Sequence, residues 1–248
     1  MAEHGVGLYR DQGIVLRGIR LGEADRIVSI FTQNHGRVRG VARGIRKSKS
    51  RFGGRLEPFT HVDLMLYKGQ GDLDTITQAE IIARYPRLRE DYPAFCAAGA
   101  MADAVERTTP ERDHNVRLFV LLRGGLRALD EGAEDAGLLA YAFLAKLASL
   151  AGLHPTLEAC VGCGKLERVA FSHGGGGAVC SDCIDHGDPA VETDVLDTWS
   201  SLIDAGWEEL VTRRLAPELR RDVAALLLAY AQWQTESRFR AFGLLPVG

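Results

Sequence analysis

No uninterrupted apolar run in the chain exceeds the nine residues from Val223 to Ala231, far short of a membrane span. The first seven residues carry neither a basic n-region nor an apolar h-region, so no secretory signal is expected. A soluble cytoplasmic protein without a membrane association follows from these absences. Several catalytic signatures are missing as well. There is no G-x-x-x-x-G-K-[ST] loop to cradle a triphosphate and no G-x-G-x-x-G after a strand. There is also no G-x-S-x-G elbow and no H-E-x-x-H pair. Gly69-Gln70-Gly71 is too short for a nucleotide fingerprint and suits a hairpin turn. Seven histidines are scattered without a nucleophile at recognisable spacing, and no internal repeat occurs. The sequence therefore predicts a protein that is not an enzyme and uses no nucleotide.

Acidic residues are missing from one stretch in particular. Arg37 to Arg55 holds eight basic residues and no acidic one: Arg37, Arg39, Arg43, Arg46, Lys47, Lys49, Arg51 and Arg55. The whole chain carries a formal charge of −3, but the charge is polarised. Residues 1–80 hold 13 basic against 9 acidic side chains, a balance of +4, and the other 168 hold 17 against 24, a balance of −7. So many like charges repel one another, and a polyanion relieves that repulsion. The eight are candidate DNA-binding residues, contacting single- and double-stranded DNA through phosphates. A solvated basic loop without a partner is the plainer alternative. Phe31, Phe52, Phe59 and Tyr67 are candidates for base stacking, although all but Phe52 are as well explained as core.

Cysteine is scarce, yet four of the five fall within 24 residues, as Cys160-Val-Gly-Cys163 and Cys180-Ser-Asp-Cys183, with sixteen residues between the pairs. Two residues between cysteines let one tight turn aim both sulfurs at a point, and two such turns can close a tetrahedral S₄ site. The spacing predicts one structural zinc per chain on Cys160, Cys163, Cys180 and Cys183. Two disulfides, or reduced thiols without metal, are the alternatives. His173 and His186 flank the second pair and could substitute for a cysteine. Cys96, in an Ala-rich helical segment, reads as a small core residue.

Periodicity divides the chain. Gln12–Arg20, Arg26–Thr32, Arg37–Ala42, Val62–Tyr67 and Leu73–Ile82 read as five strands separated by turn signals. Five short strands suggest a small barrel, and five antiparallel strands with one long loop resemble the OB-fold. Helical period begins near residue 87, with helices expected from Asp91, around Val116–Leu126, over Leu138–Leu150, over Val195–Leu210 and over Pro217–Phe239. Trp199, Trp207 and Trp233 are expected to be core. The fold class is α+β: a five-stranded OB-fold barrel over 1–83, then an all-helical domain over 84–248 with an inserted four-cysteine zinc finger at about 156–190.

Gly13-Ile14-Val15-Leu16, Asp25-Arg26-Ile27-Val28 and Phe31-Thr32-Gln33-Asn34-His35-Gly36-Arg37 together resemble the RecO family of bacterial DNA-repair proteins. So do Gly40 to Gly44, Ser50-Arg51, Leu56 to Phe59, and Leu150 to Pro155 leading into Cys160-x-x-Cys163-Gly164. The resemblance covers nearly the whole chain. It implies the same barrel, helical domain and finger. It further implies a recombination mediator that anneals DNA strands and helps load recombinase onto single strands coated by SSB, associated with the nucleoid. Implied partners are RecR and the acidic C-terminal tail of SSB, the latter contacted through the helical domain around Arg213, Arg214, Arg220 and Arg221. A non-catalytic adaptor whose barrel and finger bind only proteins is the rival reading.

Overall fold

The structure, a computed structural model, describes Gly7–Leu245; residues 1–6, on which the absence of a secretory signal largely rests, lie outside that range. Five strands form a closed barrel: β1 (Gly7–Leu21), β2 (Asp25–Thr32), β3 (Gly36–Ala42), β4 (His61–Lys68) and β5 (Asp74–Ala83). Their order is β1-β2-β3-β5-β4, with β3 and β5 parallel and the other pairs antiparallel. This is the OB-fold arrangement expected from the strand pattern. Closure depends on the length of β1. Its first half, Gly7–Ile14, pairs with β4, and its second half, Gly13–Leu21, pairs with β2. A bulge between Val15 and Arg17 bends the strand where it changes partner.

The barrel interior is filled by alternate strand residues, including Val15, Val28, Ile30, Val38, Leu64 and Ile76. The segment between β3 and β4 completes it by inserting Ile45, Phe52 and Leu56. That basic segment is therefore not free chain. Successive turns fold it back, with Ser50 N–H donating to Lys47 O at 3.0 Å and Arg55 N–H to Phe52 O at 2.9 Å.

Helices follow: α1 (Arg87–Glu90), α2 (Tyr92–Thr108), α3 (Val116–Gly132), α4 (Ala136–Leu150), α5 (Thr193–Asp204), α6 (Trp207–Thr212) and α7 (Pro217–Thr235), then a 3₁₀ turn at Arg240–Leu244. The chain divides into two compact units. One comprises residues 1–86 with 105–126, the other 87–104 with 127–248. In the second unit α4 is apolar nearly all round, so it is buried and packs against α5, α6 and α7. The helix expected over Val195–Leu210 is broken at Ala205-Gly206, and α7 ends at Thr235, four residues early, with Glu236 in the left-handed region. Trp199 is buried as expected, whereas Trp233 is 64% exposed and is a correction to the core reading. Among the described residues no helix is long and apolar enough to cross a membrane.

Between α4 and α5 the finger adds a hairpin too short to show a period, β6 (Ala170–Ser172) with β7 (Gly177–Val179). The glycine-rich span before the second cysteine pair is its turn. Phe171 of β6 anchors it, with ring centroids 5.2 Å from Trp199 and 5.4 Å from Tyr230.

Candidate nucleic-acid interface and four-cysteine centre

The eight basic residues separate into two groups. Arg37 and Arg39 project outward from β3 onto residues 105–111. Arg37 Nε donates to Thr109 O at 3.1 Å, and its guanidinium lies 3.5 Å from Glu111 and 4.0 Å from Glu106. Arg39 Nε is 2.6 Å from Glu111 Oε1. From β1, on the far side of β2, Arg17 pairs with Glu106. The main chain joins in, with Arg112 N–H donating to Arg37 O at 3.0 Å. Gly36 permits this approach. Its φ is +65°, and a Cβ there would lie 2.3 Å from Asp113 O. Buried Asp11 supports the same turn, accepting Asn34 N–H at 3.0 Å and facing His35 Nδ1 at 2.6 Å. Asp74, also buried, accepts from Tyr9 and from Arg112 at 2.7 Å. Burial first, and then the Asp74 carboxylate, push the Tyr9 phenol well above its usual value, so it stays a donor.

Arg43, Arg46, Lys47, Lys49 and Arg51 are exposed on the segment that plugs the barrel. Among the described residues none of them has an acidic partner. Arg46 donates to Glu23 O at 2.9 Å, which ties the segment to the β1–β2 turn, and Arg51 lies 4.9 Å over the Phe52 ring. Arg55 is intermediate: it caps the Arg51 carbonyl at 3.0 Å and lies 3.7 Å from Glu80. The stacking candidates fare differently. Phe31 and Phe52 are 0% and 1% exposed and Phe59 is buried, while Tyr67 is exposed. Phe52 is thus core, contrary to its reading as the exposed aromatic of the charged loop. Plugging a barrel end outweighs the polarity of its sequence neighbours.

In the second unit the sulfur atoms of Cys160, Cys163, Cys180 and Cys183 all lie within 4.8 Å of one another, and Cys163 Sγ is 3.6 Å from Cys180 Sγ. A tetrahedral S₄ site with metal–sulfur bonds of roughly 2.3 Å has sulfur–sulfur edges of about 3.8 Å. The four cysteines are free thiols, not disulfides. Each pair sits on a matching knuckle. Gly164 N–H donates to Cys160 O at 2.8 Å and Ile184 N–H to Cys180 O at 3.0 Å, with Gly164 at φ +77°. The hairpin holds the knuckles together, since Val161 N–H donates to Ala178 O at 2.8 Å. Backbone hydrogen bonds, foremost at Cys180, hold the Cys160 thiol at about 6, below the ordinary thiol value. The thiols of Cys163, Cys180 and Cys160 push Cys183 up to about 12. Full ionisation in this space needs a cation at the centre, and the donor set can hold a metal ion. His173 and His186 do not join the cluster.

The helical arginines expected at an acidic tail each already face a carboxylate. Arg214 pairs with Glu134 and Arg220 with Asp135, the N-cap of α4. Arg213 lies 3.7 Å from Glu209 and Arg221 lies 3.5 Å from Asp222. Arg214 and Arg220 line a cleft of 290 Å³ together with Pro93, Ala136 and Pro217.

Residues 6–85 match the family model described as Recombination protein O N terminal, and residues 89–241 match Recombination protein O C terminal. A DNA repair protein RecO from Frankia casuarinae is 42% identical over 96% of this chain and 98% of its own length. Those of Thermobifida fusca and a Nocardioides species are each 40% identical, over 97% and 92% of this chain and 99% and 95% of their own lengths.

Proposed function

The chain belongs to the RecO family, and from that premise we propose that it is a non-enzymatic, cytoplasmic, nucleoid-associated DNA-binding mediator of recombinational repair. It anneals complementary strands and helps load recombinase onto SSB-coated single-stranded DNA. The observation that carries this reading is the row of exposed cations Arg43, Arg46, Lys47, Lys49 and Arg51, held on a folded segment without acidic partners among the described residues. Annealing brings two polyanions together against their repulsion, and a fixed positive surface screens that repulsion with no reacting group. Arg37, Arg39 and Arg55 extend the same path from positions shared with Glu111, Glu106 and Glu80.

One zinc per chain on Cys160, Cys163, Cys180 and Cys183 organises the finger; four thiolates leave no open position, so the ion supplies structure only. RecR is the expected protein partner, and an SSB tail is expected at the helical unit. There the anionic tail would have to compete with Glu134 and Asp135 for Arg214 and Arg220. Strand annealing measured without ATP under RecR titration tests the proposal. Annealing that needs no nucleotide and responds to RecR supports it. No annealing together with no RecR binding would favour the protein-only adaptor.

A further inference from the structure

The outward face of β1, β2 and β3 is only half covered. Cross-strand partners share a face, so the register sorts it into rows. One row is Arg17–Ser29–Arg39, and residues 105–111 lie over it, with Glu106 and Glu111 paired to its two arginines. The next row is Ile19–Ile27–Val41, two residues or about 7 Å further along the strands. Ile27 and Val41 in this row are half-buried, and its β1 end is the open one. Ile19 is 47% exposed, Leu21 beyond it 40%, and β1 is exposed on both faces from Arg17 to Leu21. The apolar row is framed by cations. Arg43 leaves β3 beside it, and Arg46 is bound to the adjoining β1–β2 turn. Glu23 and Asp25 are the acidic groups nearby, and Asp25 is occupied with Gly44 N–H at 2.8 Å.

We infer that Ile19, Leu21, Ile27 and Val41 form an apolar rail for the unpaired bases of single-stranded DNA, with Arg43 and Arg46 on its phosphates. The inference rests on the DNA-binding reading and adds base contact to it. An apolar strip bordered by unopposed cations fits a ligand with flat apolar faces strung on an anionic backbone. A single strand presents its bases that way, and a duplex hides them in its stack. Aliphatic contact tolerates any base, which suits an annealing protein that must not choose sequence.

The test uses the full chain with two probes of equal length, oligothymidylate and an abasic deoxyribose-phosphate oligomer. The wild type should bind the base-bearing oligomer about tenfold more tightly. In the variant Ile19→Ser with Leu21→Ser, two exposed positions whose replacement leaves the core intact, that preference should vanish. Binding to the abasic probe and the salt slope should stay as in the wild type, because every cation is retained. Equal wild-type affinity for the two probes overturns the rail and leaves phosphate binding standing. A preference retained in the variant also overturns it and assigns the row to a protein partner. Binding to neither probe overturns the DNA reading itself.

Discussion

His61 shows how the barrel wall constrains a single titratable side chain. It is buried, and its Nε2–H donates to Gln12 Oε1 at 2.9 Å. Burial, and then the charge of Arg123, lower its pKa from 6.5 to about 4. Between those values the unfolded chain binds the proton and the folded chain does not, so stability rises with pH there. The contribution is complete above about 6.5 and is lost as pH falls toward 4. Urea unfolding at pH 7 and pH 5 should show this loss, and His61→Gln should shrink the difference. Some slope will remain, because burial lowers His173 in the same direction. Phe52 makes a second case. As part of the core it should cost about 3–5 kcal/mol of stability when cut to alanine, with the salt slope of DNA binding unchanged in protein that stays folded. A stacking residue would instead lower DNA affinity at little cost in stability, again without changing the salt slope.

At the scale of the element, the basic segment and the finger give opposite lessons. Replacing Arg46, Lys47, Lys49 and Arg51 with alanine should weaken DNA binding about equally across sequences, since phosphate contacts carry no base information. The slope of log K against log salt should fall by up to about 0.7 for each phosphate no longer neutralised on single strands. Affinity and slope both unchanged would place the DNA path elsewhere. The fold itself should survive, because Ile45, Phe52 and Leu56 hold the segment in the core and Arg46 adds only an exposed tie to Glu23 O. In the finger the four cysteines proposed as zinc ligands are expected to hold the fold. Cys163→Ser should lower bound zinc, measured by elemental analysis, and speed proteolysis within about residues 156–190, because metal binding there contributes directly to folding. Wild-type protein purified without chelator and found free of zinc would remove the metal from the account. Both elements could be located from composition and spacing. That the basic segment is folded could not be read from its sequence, whose apolar residues Ile45, Phe52 and Leu56 follow no period.

For the whole molecule, a net charge of −3 would on its own argue against a polyanion partner. Local sign decides instead, because screening confines each field to about 10 Å at 0.1 M salt. The exposed cations of the barrel therefore act largely independently of the acidic excess elsewhere. Annealing should accordingly decline steeply as salt rises, in parallel with DNA affinity. A rate insensitive to salt over a range that abolishes binding would separate the two activities. The two compact units do not follow the chain in sequence. Residues 105–126 belong with the barrel, through Arg37, Arg39, Gly36 and the contact of Phe119 with Phe31 at 6.4 Å between centroids.

The five strands, the helical part and the four-cysteine cluster were determined by the sequence itself. Each depends on local signals: alternation every second residue, apolar spacing along a helix, or two residues between thiols. Which cations stand free was decided only by tertiary structure. Arg37 and Arg43 look equivalent in the sequence. Glu111, however, lies 74 residues beyond Arg37 and reaches it because the chain returns across the outer face of β3, while no carboxylate among the described residues reaches Arg43. The same return covers one row of that face and leaves Ile19 exposed in the next, with Ile27 and Val41 half-buried beside it. Strand period places all three residues outward, but only long-range packing determines whether an outward apolar residue is buried or exposed.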